Sequence, residues 1–353
     1  MLANKSSSAA DKTAASEIAI DLPLKISIYN KNGRIEQVLR SPFVTASEDP
    51  GITGVATRDV VIDREAGVAA RLFLPTGAVA TGRRLPLVLF FHGGSFAAGA
   101  AERSAFCRTY HRYATSLAAH AKALVVSVEY RLVPEHPVTA AYDDAWTALR
   151  WAASSADPWL LYHADPRCTF VAGDGAGGDI AYRTAVRASR DGEDIDIDID
   201  IDIEGLLLIH PYFWEPEWPP TENAGHGGGF LTTPQVAATA LLPCRRALVA
   251  VAKKQGAVRE PGRRSAARMR GCWWRGEVTI VELNSEDDHG FHLYGPASGS
   301  TERLMDTIVE FVNKKEHGSM LHGEKEVAPS LSNGPYKAVS AEVPRGPLTK
   351  SCL

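Results

Sequence analysis

Two glycine-rich runs carry the chemistry that residue type and spacing reveal. The first, Val171-Ala172-Gly173-Asp174-Gly175-Ala176-Gly177-Gly178, lies between a short apolar run (Cys168 to Ala172) and an amphipathic one (Asp179 to Arg190). Strand, tight turn and helix start in that order are the context of a G-x-S-x-G nucleophile elbow, whose glycines let the central side chain stand clear of the backbone. The central residue here is Gly175, which has no side chain to offer. A turn of this kind also suits a phosphate at a helix N-terminus. The second run, Phe90-Phe91-His92-Gly93-Gly94-Ser95, closes an apolar stretch and matches the H-G-G-G loop whose N–H groups hold an oxyanion. The pair describes acyl transfer, with Gly93, Gly94 and Ala176 as N–H donors and a glycine at the nucleophile position.

Such runs act only if strands and helices bring them to one edge. Asp59 to Ile62 and Val68 to Leu74 alternate and are β-branched, as half-buried antiparallel strands do. Leu85 to Phe91 and Ala123 to Val128 are nearly continuous apolar runs, suited to strands covered on both faces. Thr169 to Ala172, Gly205 to His210, Ala247 to Ala252 and Val278 to Leu283 continue the series. Helical patterns cover Ser104 to Ala121, Pro137 to Ser155, Gly177 to Arg190 and Thr301 to Lys314. The alternation predicts an α/β fold with an about eight-stranded, mostly parallel sheet and helices on both faces. Sites in such sheets lie beyond the C-terminal ends of the strands, where both glycine runs fall.

The 353 residues carry 38 basic and 42 acidic side chains and are 45% hydrophobic, which suits one large domain and leaves no dense basic stripe for nucleic acid. No eighteen-residue apolar run and no apolar leader occur, so no membrane association and a cytoplasmic protein are expected. Five scattered cysteines without C-x-x-C spacing read as reduced thiols, and no metal site is implied. Residues 1–18 and 316–353 are polar and Ser-, Gly- and Pro-rich and are expected to be disordered, leaving 19–315 as the folded domain. The Asp-Ile repeat at 194–203 could alternate as a strand, but five carboxylates on one face repel, so a solvated loop extension is expected. A calcium loop would need a glycine and mixed oxygen ligands, which the repeat lacks.

With both turns placed, the chain resembles the plant carboxylesterases, the hormone-sensitive-lipase-like branch of the α/β-hydrolase fold. The resemblance runs from about Glu17 to Val312. It rests on Phe90-Phe91-His92-Gly93-Gly94, on Tyr130-Arg131-Leu132-Val133-Pro134-Glu135-His136-Pro137, on Ala141-Tyr142-Asp143-Asp144-Ala145-Trp146, on the Gly173 to Gly177 turn and on Asp288-His289-Gly290-Phe291-His292-Leu293. It implies hydrolysis of small carboxylic esters without a cofactor, by Ser, Asp and His in that chain order, and an N-terminal segment that helps cover the pocket.

The chain departs from that pattern where the chemistry is concentrated. Gly175 stands where the family has its serine, Gln255 aligns with the catalytic Asp, and His289 alone remains of the three. Ser95 replaces the third glycine of the oxyanion loop, and the connection between Gly225 and Ala247 is shorter than usual, with one helical run from Pro234. Loss of the serine alone costs about 10⁶ in kcat in a well-studied protease, so impaired catalysis follows from the resemblance. Asp174 and Ser95 are candidate replacement nucleophiles, and Asp287, Asp288 or Glu260 could orient His289. Tyr130, Trp146 and Trp151 read as packing residues. The expected partner is a small ester or carboxylic acid, with the protein monomeric or weakly dimeric. A non-catalytic ligand-binding role, as in the gibberellin receptors of the same family, is the alternative, although those receptors resemble esterases that keep serine and lose histidine.

Overall fold

The computed structural model describes residues 41–94, 104–133, 135–191, 202–213, 242–253, 256–272, 274–283 and 290–314, and the backbone of strands at 18–21, 25–29 and 34–37. These residues belong to one compact unit, Met1–Lys314. His289, Gln255, Ser95, Asp287, Asp288, the run from Pro234, the repeat as far as Ile201 and the tail from Lys315 lie outside the described residues.

Three short strands, β1 (Ile18–Asp21), β2 (Lys25–Tyr29) and β3 (Arg34–Gln37), form an antiparallel sheet of their own. The sequence reading did not anticipate them: Lys25-Ile26-Ser27-Ile28-Tyr29 does alternate, but runs of four and five residues are at the short limit of that signal. The main sheet holds β4 (Val55–Asp63), β5 (Val68–Pro75), β6 (Leu85–Phe91), β7 (Leu124–Glu129), β8 (Ala164–Asp174), β9 (Ile203–Ile209), β10 (Arg246–Ala252) and β11 (Glu277–Leu283). Its order is β11-β10-β9-β8-β6-β7-β5-β4. The β4–β5 and β5–β7 pairs are antiparallel and the others parallel, as the alternation and the apolar runs predicted.

Helices cover both faces. The short α1 (Thr76–Val79) follows β5, and α2 (Arg108–Ala121), α3 (Val138–Ala153), α4 (Pro158–His163), α5 (Ala176–Asp191), α6 (Gly256–Gly271), α7 (Phe291–Tyr294) and α8 (Gly299–Asn313) follow in chain order. The pleat explains the two cores. Leu87, Leu89 and Phe91 of β6 join Leu206 and Leu208 of β9 under α3 and α5. Their neighbours Val88 and Phe90 join Leu207 and Ile209 under α2 and α8. Successive side chains on opposite faces bury both sides of each central strand, which is why these strands read as unbroken apolar runs.

Two elements differ from expectation. Helix α2 begins at Arg108 rather than Ser104, since Cys107 is held in an extended conformation by a bridge to Phe43. Helix α6 escaped notice because Pro261 and five arginines interrupt its apolar face. The Asp-Ile repeat ends inside the sheet, its last isoleucine being the first residue of β9. Cys107, Cys168, Cys244 and Cys272 are free thiols, as composition suggested. Among the described residues no helix is long and apolar enough to cross a membrane, and no group of His, Cys, Asp and Glu could hold a metal ion.

Candidate active site

The sheet order changes direction at β6, from which the chain goes first to β7 on one side and then to β8 on the other. A crevice at such a reversal is where open α/β sheets bind ligands. The register pairs Phe91 with Gly173, so the two glycine runs leave adjacent strands side by side.

The turn after β8 is built by backbone contact. Gly175 has φ 53°, in the left-handed region, and α5 begins at the next residue. Its N–H donates to the Ile209 carbonyl at 2.9 Å, and its carbonyl accepts from Tyr212 N–H at 2.8 Å and Gly178 N–H at 3.1 Å. The flanking glycines answer to space rather than to φ. A Cβ on Gly173 would meet the Gly177 carbonyl oxygen at 2.1 Å, and one on Gly177 would meet the Phe91 carbonyl oxygen at 2.0 Å. Helix α5 thus touches the backbone of both β8 and β6, and only glycine permits that approach. This is the strand, turn and helix geometry of a nucleophile elbow.

Asp174 ties the second run to the first. Buried at 3% exposure, its Oδ1 accepts from Gly93 N–H at 2.9 Å and its Oδ2 from the Tyr110 hydroxyl at 2.9 Å. Gly93 N–H also donates to Tyr110 Oη at 2.8 Å. Burial, and then the Asp174 carboxylate beside it, pushes the Tyr110 phenol well above its ordinary value, so it stays a neutral donor. One sequence expectation is corrected here: the Gly93 N–H, expected to face an oxyanion, is committed to this clamp. Asp174 is buried and accepts from both partners, in keeping with the sequence reading that position 175 rather than Asp174 is the one aimed at a substrate.

The long family motif supports the same loop. The Tyr130 hydroxyl donates to the His92 carbonyl at 2.6 Å, and its ring stacks on the His92 ring at 4.4 Å. His92 Nδ1 donates to the Gly93 carbonyl at 2.7 Å, and Nε2 lies 3.9 Å from Glu129. Arg131 forms a forked pair with buried Asp144 of α3, which anchors the chain just after β7. Trp146 is buried and Trp151 packs against the same core, the packing roles expected of them. At α5, Asp179 accepts from Tyr142 at 2.8 Å and from Arg183 at 2.9 Å, an acid in the first helical turn where the dipole favours it.

The chain from Gly290 onward lies against this place. Gly290, with φ 79°, caps α7, and its carbonyl accepts from Leu293 N–H at 2.8 Å. His292 is buried with Nε2 3.8 Å from Asp174 Oδ2, and its ring stands 5.3 Å from that of His210. Arg112 of α2 donates to the Leu293 carbonyl and fixes α7 to α2. Tyr110, His210 and His292 were given no role by sequence reasoning; Tyr110 and His210 belong to no motif, His292 stands in the last of the family motifs, and only tertiary contact brings the three together. Glu260 is an exposed residue of α6 that faces Arg263 across one turn. Burial raises the Cys168 thiol to about 11 and the Cys244 thiol to about 12, so neither supplies a thiolate near neutral pH.

Comparison with known proteins agrees with this geometry. Residues 88–239 match the family model described as alpha/beta hydrolase fold. Probable carboxylesterase 13 of Arabidopsis thaliana is 33% identical over 330 residues, 84% of this chain and 98% of that protein. The 2-hydroxyisoflavanone dehydratase of Glycyrrhiza echinata is 32% identical over 337 residues, 86% of this chain and 99% of that protein. Among solved structures, the esterase of Pyrobaculum calidifontis superposes with a TM-score of 0.56 at 26% identity, covering 72% of this chain and 84% of its own. EstE1, a thermostable carboxylesterase from a metagenomic library, gives 0.56 at 25% identity over 78% of this chain and 90% of its own. Elbow, oxyanion loop, sheet order and relatives converge, and the chain belongs to the plant carboxylesterase family of α/β-hydrolases.

Proposed function

We propose that this protein keeps the ester-binding framework of a carboxylesterase and has lost serine-dependent acyl transfer. What carries the reading is Gly175 at the apex of an intact elbow, with φ 53° and flanking glycines whose contacts leave no alternative path. Acyl transfer needs an oxygen nucleophile, a base oriented by an acid, and N–H donors where the oxyanion forms. Gly94 and Ala176 supply the donors and His289 the base, while the nucleophile and acid positions are Gly175 and Gln255. A neutral amide at 255 could still accept or donate a hydrogen bond but could not stabilise an imidazolium as a carboxylate does.

An aryl-ester assay tests this directly. Wild type is expected to give no burst of acylation, and Gly175→Ser combined with Gln255→Asp is expected to gain at least 10³-fold, since removal of such groups costs far more than that elsewhere. No gain on restoring both would mean that the site is not assembled as described. The same framework favours a second reading, a small-molecule-binding protein without turnover, because donors without a nucleophile still hold a carboxylate. Carboxylic acids at a hundred times their Kd would then stabilise by about 2.7 kcal/mol in a thermal-shift screen, and a uniform absence of shifts would sink it. Action in the cytoplasm as a monomer or weak dimer completes the reading, to be checked by fractionation and size-exclusion chromatography.

A further inference from the structure

Away from the elbow, the groove between α2 and α8 holds a second constellation. At helical spacing, Arg112, Tyr113, Ser116 and His120 share one stripe of α2, and Glu302, Met305 and Asp306 share one stripe of α8. The two stripes line one cavity of about 180 Å³, with His292 in its wall. That is slightly larger than the roughly 150 Å³ of an engineered core cavity that admits benzene, which sets the size of a guest.

The α2 wall lacks an acceptor. Tyr113 is 4% exposed, and its hydroxyl has no hydrogen-bond partner among the described residues, a condition that buried hydroxyls rarely keep. Burial, and then the Asp174 carboxylate, raises the phenol above its ordinary value, so it remains a neutral donor. Beside it Arg112, which donates to the Leu293 carbonyl, adds a positive charge to the same wall. The α8 wall lacks a cation. Glu302 and Asp306 stand one turn apart, a spacing at which like charges repel, and neither forms an ion pair among the described residues. The helix dipole accounts for Glu302 in the first turn of α8, but it has faded by Asp306. Buried Met305 gives this wall its apolar surface.

We propose that this cavity is a binding site for a small zwitterion of the amino-acid class, its carboxylate held by Arg112 and the Tyr113 hydroxyl and its ammonium group by Glu302 and Asp306. The site stands apart from the elbow, and nothing in it depends on the residue at position 175. Each end makes charge-assisted hydrogen bonds, worth about tenfold or more in affinity.

The test titrates the full chain, by ligand-observed NMR, with norleucine and 6-aminohexanoate, isomers that differ in the separation of their charges. Hexanoate and pentylamine, each lacking one of the two charged groups, serve as the comparison. At least one isomer should bind saturably and about tenfold tighter than either single-charge compound, and which one it is gives the charge spacing of the site. Tyr113→Phe removes an atom with no partner among the described residues, so it should weaken that isomer about tenfold without lowering the melting point. Glu302→Gln with Asp306→Asn, both exposed positions, should bring the zwitterion down to the affinity of hexanoate. No saturable binding by either isomer, equal binding of hexanoate, or zwitterion binding indifferent to these variants would overturn the proposal. A lower melting point for Tyr113→Phe would do so too, because the hydroxyl would then be satisfied within the protein.

Discussion

Replacing Gly175 is the most informative single change, because its effect on stability has opposite signs under two descriptions of the turn. With φ at 53°, any residue bearing a Cβ enters the left-handed region at a cost of about 1–2 kcal/mol. Were φ negative in solution, glycine to alanine would instead gain about 0.4–1 kcal/mol by restricting the unfolded chain. Gly175→Ala and Gly175→Ser should therefore both unfold earlier in denaturant, by similar amounts, with a melting point roughly 2–3 °C lower for a domain of this size. Equal losses assign the cost to the Cβ rather than to the hydroxyl. The measurement is equilibrium unfolding in urea with an unchanged slope. A neutral or stabilised alanine variant would refute the elbow geometry on which the site is built. Glycine at this apex thus avoids the backbone strain that any side chain there would add.

Tyr110→Phe removes a buried hydroxyl that both accepts from Gly93 and donates to Asp174, and should cost about 1–3 kcal/mol, with faster amide exchange at Gly93 than in α3; unchanged exchange there would show that the clamp is not closed in solution. Gly177→Ala drives a Cβ to 2.0 Å from the Phe91 carbonyl oxygen, and should cost about 4 kcal/mol or more or leave the protein insoluble; a well-folded variant would show that α5 can stand off from β6. Burial, then the Arg71 guanidinium at 3.1 Å, lowers His111 from its ordinary value to about 4, against a weaker pull from Asp59. The unfolded chain binds the extra proton between pH 6.5 and 4, so stability should rise with pH across that window and fall as pH drops toward 4. His111→Gln should flatten that part of a pH-stability profile, and an unaltered slope would count against the Arg71 contact.

Much of the fold was legible because local physics and tertiary demand agree in the central strands. Leu85 to Phe91 and Ala247 to Ala252 are apolar without interruption, and only a strand buried on both faces calls for that pattern. Helix α6 was not legible, since its sixteen residues include an internal proline and three glycines, and its helicity rests on packing against β10 and β11. Of the site, the glycine runs were visible because backbone approach leaves glycine no substitute. The role of Gly93 was misjudged for a related reason: its amide partner lies 81 residues away and is a carboxylate that spacing alone marks as a possible nucleophile.

By itself the sequence determined the alternation of strand and helix, the two turns at strand ends, and the absence of a hydroxyl at position 175, all consequences of side-chain size and periodicity. The tertiary structure alone decided that Phe91 pairs with Gly173, that Asp174 closes on Gly93 and Tyr110, and that His292 returns to that carboxylate. Those facts depend on which strands become neighbours, and strand order follows from burying two faces of one sheet at once rather than from any local run of residues.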